Sequence, residues 1–395
     1  MRLKFLSFSL AVWAAFAAFG ISSGHLGLSG WSTDHNSHVD AAVLFCYRGF
    51  DIYRKPMNAL AARSESALAR EYAAKYNWPA DSIYDLPERA GRPPLLINGP
   101  TIPCPYPPGM LLYSLPEAIL KEALGLSPKA VATLSLLKFL IVTHLLIWMF
   151  WGLLLEKSDD DARALAVWVI LPLVYLESIA WALTGVYDAV ALIALLLCVG
   201  SLRSKRGLES LLWYALAAFL HFRTLWFLPL FLAGLRLFWK NREYRMSAGR
   251  DRLMAVAGAI MLGVSAWCFL TIYPFLAAMG TRNFFFFDGD LPSLARLCYL
   301  LVPMALIAAG LARDRAWLML SCLAWTLVMV CRSPFVQMWH SLYLLPLLAM
   351  TGLGEKSAAR GRLLALLAYL VMASLAFTRF PFSGVLVLDA LKELL

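Results

Sequence analysis

Long uninterrupted apolar runs dominate the chain. A hydrocarbon layer of ~30 Å needs about 20 apolar residues in a helix. Runs of this kind lie at 131–155, 164–182, 186–202, 209–221, 223–238, 253–278, 291–312, 316–331, 338–353 and 362–377. An earlier one, 5–22, follows Arg2 and Lys4. Its basic start, apolar middle and small-residue end also suit a cleaved secretory signal. The later spans need an odd first helix to orient them, which favours its retention. The pattern predicts an all-α integral membrane protein, a bundle of about 11 transmembrane helices in a single membrane domain over 1–395. The pair 209–221 and 223–238 is too short for two independent crossings, so it reads as a broken or re-entrant hairpin, or as one long tilted helix.

Residues 24–128 contain no clean span and read as a large first outer (periplasmic) loop with short helices. Within it, 107–126 is apolar. Counting it as a span would put the Arg-Ser-Lys-Arg run at 203–206 outside, against the positive-inside rule. It therefore reads as a helix lying on, or dipping into, the outer surface.

With the N-terminus cytoplasmic, the short inner segments carry 18 Lys and Arg, against 5 in the short outer segments and the C-terminal tail. The net charge of +10 is thus mainly a topology signal, and nucleic acid is not an expected partner. The chain is 61% hydrophobic and 15% charged, with 14 Trp and 23 Phe, which excludes a soluble enzyme and a disordered chain. Its seven Cys are scattered, and no Cys/His spacing suggests a metal site. Cys46 and Cys104 share the outer loop, where a disulfide and two free thiols are both open.

The candidate chemistry gathers on the outer side. Asp34-His35-Asn36-Ser37-His38-Val39-Asp40 places two carboxylates and two imidazoles just beyond the first helix. In a helix Asp34 and His38 would share a face. Such a carboxylate suits general-base work on a hydroxyl, or a helix cap formed with Thr33. Asn98 to Gly109 is Pro-rich, includes Tyr106, and enforces a rigid approach back to the membrane. Glu177, near the end of one span, and Gly185-Val-Tyr187-Asp188, at the start of the next, put ionisable groups at a membrane edge; an Asp helix cap is the simpler reading of the second. His221-Phe222-Arg223 lies between the two short helices, and Arg332 and His340 flank a late outer turn. Arg suits bidentate phosphate binding, though interfacial Arg residues also snorkel to headgroups. The run Arg282-Asn-Phe-Phe-Phe-Phe287 could cover an acyl chain or anchor the interface.

The order of these motifs over about residues 1–350 resembles the polytopic glycosyltransferases of the GT-C superfamily, in particular polyprenyl-phosphate-sugar-dependent mannosyltransferases. The resemblance has four parts, in chain order: Asp34 to Asp40-Ala41-Ala42 followed by Arg48-Gly49-Phe-Asp51-Ile-Tyr53; Tyr106-Pro107-Pro108-Gly109; Gly185-Val-Tyr187-Asp188; and basic segments ahead of Leu-Pro, His221-Phe222-Arg223 before Leu228-Pro229 and His340 before Leu345-Pro346. It implies a membrane glycosyltransferase that moves a hexose or pentose, such as mannose, from a polyprenyl-phosphate donor to a glycan, lipid or protein acceptor, with inversion. Asp34 would be the base, with Asp40 second in position. Arg223, His221, Arg332 and His340 would hold the donor phosphate. His35, His38, Tyr106, Glu177, Tyr187 and Asp188 would bind sugar or acceptor.

The chain departs from these relatives at several points. It has His38 where they often have Tyr, and His221 and Arg223 where they often have Lys. Positions 34–36 read Asp-His-Asn rather than Asp-x-Asp. No metal or other cofactor is therefore expected. The implied setting is a bacterial inner (plasma) membrane with the site on the periplasmic face and lipids as partners. The alternative is a transporter or flippase of lipid-linked glycans, which would want charges near mid-membrane and broken helices in both halves.

Overall fold

A computed structural model of the full-length chain describes residues 32–76, 78–97, 100–155, 187–240 and 249–278, together with position 11. The expected spans at 164–182, 291–312, 316–331, 338–353 and 362–377, and all of 5–22 but position 11, lie outside the described residues. Within them the chain is mostly helical, in nine α-helices: α1 Ser32–Arg48, α2 Asp51–Arg54, α3 Ala67–Tyr76, α4 Pro108–Leu124, α5 Pro128–Leu155, α6 Asp188–Arg203, α7 Gly207–Leu220, α8 Leu228–Lys240 and α9 Arg250–Ala278.

Two helices, over Pro128–Leu153 and Arg250–Ile272, are long and apolar enough to cross a membrane. Each shows an apolar stripe to the outside. On α5 it is Leu134, Leu137, Ile141, Leu145 and Trp148; on α9 it is Leu253, Val256, Ile260, Trp267 and Leu270. Such stripes suit contact with lipid.

The bundle has two unlike ends. At one, Arg203 donates to the carbonyl of Leu153 at 2.7 Å, while Arg206 and Arg250 pair with Glu209 at 2.6 and 3.1 Å. This is the end where the sequence puts its basic loops. At the other end, Trp267 of α9 meets Phe50 with ring centroids 5.6 Å apart, and the Arg54 guanidinium lies over the Trp267 ring at 5.4 Å. The module formed by residues 32–107 is therefore held against the end opposite the basic cluster.

The short pair resolves as a hairpin. The α-helix stops at His221, whose backbone is extended, and a 3-10 turn follows over Phe222–Phe227. Pro229 enters in the first turn of α8, where its missing N–H costs no helical bond. The arms run antiparallel: a Cβ on Gly207, at the start of α7, would lie 2.6 Å from the backbone nitrogen of Phe238 near the end of α8. Both ends of the pair therefore lie at the basic end, and the single tilted helix is excluded.

The segment before α4, expected to hold short helices, adds short strands to them. Besides short helices it carries a small antiparallel sheet in the order β1 (Ala62–Arg63), β2 (Ile83–Asp85), β3 (Leu95–Leu96). The prolines and glycines between 79 and 100 interrupt helix formation there, and short strands satisfy the backbone instead.

The apolar stretch 107–126 forms α4, which buries Met110, Leu111 and Ala118 together with polar side chains. Pro108 opens it, and Gly125 at φ +62° closes it. Its buried face holds Ser114, Glu117 and Lys121; Leu112, Ile119, Leu120 and Leu124 are exposed. Cys46 is exposed on α1, whereas Cys104 is buried, and both are free thiols. The disulfide left open by the sequence is not formed.

Candidate functional site at the helix break

Helix α1 carries the first candidate group. Asp34 lies in its opening turn, one turn before His38, but its side chain is outside the described residues. The four residues that follow are buried. His35 Nδ1 is 2.9 Å from the Ser135 hydroxyl of α5, and Asn36 donates to the Pro128 carbonyl at 3.2 Å. The Ser37 hydroxyl lies 3.0 Å from the Tyr106 hydroxyl.

The Pro-rich segment is pinned before it reaches the site. Cys104 N–H donates to the Ile52 carbonyl at 2.8 Å, and the Tyr53 hydroxyl donates to the Tyr106 carbonyl at 2.9 Å. Gly109 then seats α4 on the end of α7, where a Cβ would lie 2.5 Å from the Phe219 carbonyl oxygen. No side chain fits in that gap, so the glycine allows Tyr106 to reach the helix break.

Four segments converge on one aromatic cluster. The His38 ring meets Tyr106 edge-on at 4.7 Å and Tyr187 edge-on at 4.8 Å. Tyr187 in turn stacks on His221 at 4.8 Å. Asp188, at the first position of α6, brings its Oδ1 to 3.5 Å from His221 Nε2. Tyr187 occupies the cap position of that helix, with no side-chain cap bond. Asp188 therefore is not the cap, and it faces the imidazole.

Burial holds the His38 imidazole well below its ordinary pKa, reinforced by the nearby His35, Lys138 and His221. At neutral pH it is a neutral ring that can give one hydrogen bond and accept another. The arrangement offers a neutral imidazole, two phenols and an Asp–His pair, all at the end of the bundle away from the basic cluster.

Asp40 has a different place. It is completely buried, its Oδ1 is 2.5 Å from Lys121 Nζ, and its Oδ2 accepts the Leu96 N–H at 2.8 Å. Both oxygens are engaged in tying α1 to α4 and β3. Arg223 lies in the 3-10 turn beside His221, with its side chain outside the described residues. Glu177, Arg332 and His340 lie outside them altogether, as does the Arg282–Phe287 loop.

The sequence reading missed Tyr113, Glu117, Lys121 and Lys138. Lys138 Nζ is 2.5 Å from Glu117 Oε1, donates to the Tyr113 carbonyl at 2.6 Å and lies over the Tyr113 ring at 3.8 Å. The available signal was a lone Lys inside an otherwise apolar span. Among the described residues no cluster of three or more His, Cys, Asp or Glu has metal-binding geometry. No family model, curated protein or solved structure matches the chain.

Proposed function

We propose that this protein is a membrane glycosyltransferase. It takes a hexose or pentose from a polyprenyl-phosphate donor and passes it, with inversion, to a glycan, lipid or protein acceptor. The setting is a bacterial inner membrane crossed about eleven times, with the N-terminus cytoplasmic and the site on the periplasmic side. The observation that carries the proposal is the convergence of His38, Tyr106, Tyr187 and the Asp188–His221 pair. These residues come from four separate segments and meet at the break between two apolar helices.

In this reading Asp34 takes the proton from the acceptor hydroxyl. The oxygen attacks the anomeric carbon, the bond from that carbon to the phosphate oxygen breaks, and polyprenyl phosphate leaves. Asp40 is already committed to Lys121 and Leu96, which leaves Asp34 as the base. His221 and Arg223 share the helix break and meet the departing phosphate there; Arg332 and His340, outside the described residues, are the other phosphate-binding groups of this reading. Positive groups aimed at developing charge are the usual large term in such a reaction. His35, His38, Tyr106, Glu177, Tyr187 and Asp188 contact sugar or acceptor.

The test uses the full-length protein in lipid nanodiscs with a panel of polyprenyl-phosphate sugars. Wild-type protein releases polyprenyl phosphate from one of them. Asp34→Asn lowers that rate by about 10²–10⁴-fold, the range for a lost general base, without a change in thermal unfolding. Full activity in Asp34→Asn removes Asp34 from the role. Movement of a labelled glycolipid across the bilayer without sugar transfer favours the transporter instead.

A further inference from the structure

Beside the aromatic cluster lies a second polar group that the mechanism above does not use. Glu117 and Tyr113 stand one turn apart on α4, and Lys138 reaches them from α5. Glu117 is buried, and its Oε2 has no hydrogen-bond partner among the described residues. The Tyr113 hydroxyl and His38 Nδ1 are likewise buried and without a hydrogen-bond partner. Lys138 joins Glu117 to Tyr113, and the Phe139 ring lies 5.7 Å from the Tyr113 ring and 6.4 Å from the His38 ring. A buried polar atom left without a partner costs roughly 1–3 kcal/mol, so three of them in this neighbourhood point to an occupant with hydroxyl groups.

The charges decide its class. An anion would meet the Glu117 carboxylate, and a cation would meet Lys138. The pair is neutral as a whole and leaves one carboxylate oxygen to accept a bond from a hydroxyl. Tyr113 offers a donor, the neutral His38 ring offers either, and Phe139 and Tyr113 supply apolar faces for C–H groups. We infer that Glu117, Tyr113 and His38 form a subsite for the hydroxyl groups of an uncharged sugar ring. The inference deepens the glycosyltransferase reading and rests on it for the identity of the sugar as donor or acceptor.

Tyr113→Phe is the clean variant. It removes one oxygen that has no hydrogen-bond partner among the described residues, so a purely structural role predicts unchanged or raised thermal stability and no effect on ligands. Glu117→Gln combined with Lys138→Met is the second variant, since it removes the pair without stranding a charge. The first measurement needs no turnover: saturation-transfer NMR of full-length protein in nanodiscs with a panel of methyl pyranosides and pentosides. Wild type binds at least one of them, and both variants weaken that binding by about five- to tenfold, the value of one or two hydrogen bonds. The second measurement is turnover, where the same factor appears in KM for the donor or in KM for the acceptor, and which of the two moves names the source of the sugar.

No binding of any methyl glycoside to wild type overturns the subsite. So does unchanged binding in both variants. Binding that behaves as expected in a protein that turns over no polyprenyl-phosphate sugar keeps the subsite and rejects the glycosyltransferase reading.

Discussion

Asp40 and Lys121 are both completely buried, and they meet at 2.5 Å. Two ions removed from water are tolerated only where each is held by the other and by further hydrogen bonds. Here the Leu96 N–H supplies one of those bonds. The contact joins α1, which carries Asp34 and His38, to α4 and to the outer sheet. Removing one partner strands the other. Lys121→Met is expected to destabilise the protein by about 3–5 kcal/mol, read as a lower midpoint for unfolding in detergent. Asp40→Asn added to Lys121→Met should recover a large part of the loss, because the amide oxygen still accepts from Leu96 and no charge is left buried. If the double variant is no more stable than Lys121→Met alone, the pair does not bear the stability of this joint. The sequence alone named Asp40 a candidate base because proximity to Asp34 was visible and its partner, 81 residues away, was not.

Apolar runs were legible at the scale of the element because helix length and hydropathy follow directly from the thickness of the bilayer. The run at 131–155 became Pro128–Leu155, and the run at 253–278 became Arg250–Ala278. The interruption at 221–223 was legible too, from the polar His-Phe-Arg and the Pro that follows. The facing of α4 was not. Its average is apolar, and only the partners across its inner face show that Glu117 and Lys121 point inward, while the partly exposed Glu122 pairs with Arg89 at 2.6 Å. The choice between hairpin and long helix also needed contacts, and those contacts rest on glycine. At Gly207 an added methyl would meet the backbone of Phe238, which cannot turn aside as a side chain can. Gly207→Ala is therefore expected to part α7 from α8. Overpacking costs typically about 1–3 kcal/mol, so the unfolding midpoint should fall although Ala has the higher helix propensity. An unchanged or higher midpoint would show that the arms do not close as tightly as described.

Polarity is the property of the whole molecule that decides whether the proposed chemistry is outside the cell. The helices α6 and α5 reach the basic end together, at Arg203 and Leu153, and both ends of the α7–α8 hairpin lie there. The module of residues 32–107 caps the opposite end through Phe50, Arg54 and Trp267. The span Arg250–Trp267 rises about 26 Å at 1.5 Å per residue, close to the ~30 Å of a hydrocarbon layer. The orientation in the proposed function follows from applying the positive-inside rule to the basic end. Counting charges could give that orientation from sequence, but it could not show that the aromatic cluster and the basic loops occupy opposite ends. Cysteine labelling tests the assignment. With all seven native cysteines replaced by Ser or Ala, single cysteines are placed at two exposed positions, Glu65→Cys in the module before α4 and Ser204→Cys after α6. A membrane-impermeant maleimide added to intact cells should modify the cysteine at 65 at once and the cysteine at 204 only after permeabilisation. The reverse pattern would turn the protein over and put the cluster in the cytoplasm. Equal labelling of both in intact cells would mean that the two ends are not separated by a membrane at all.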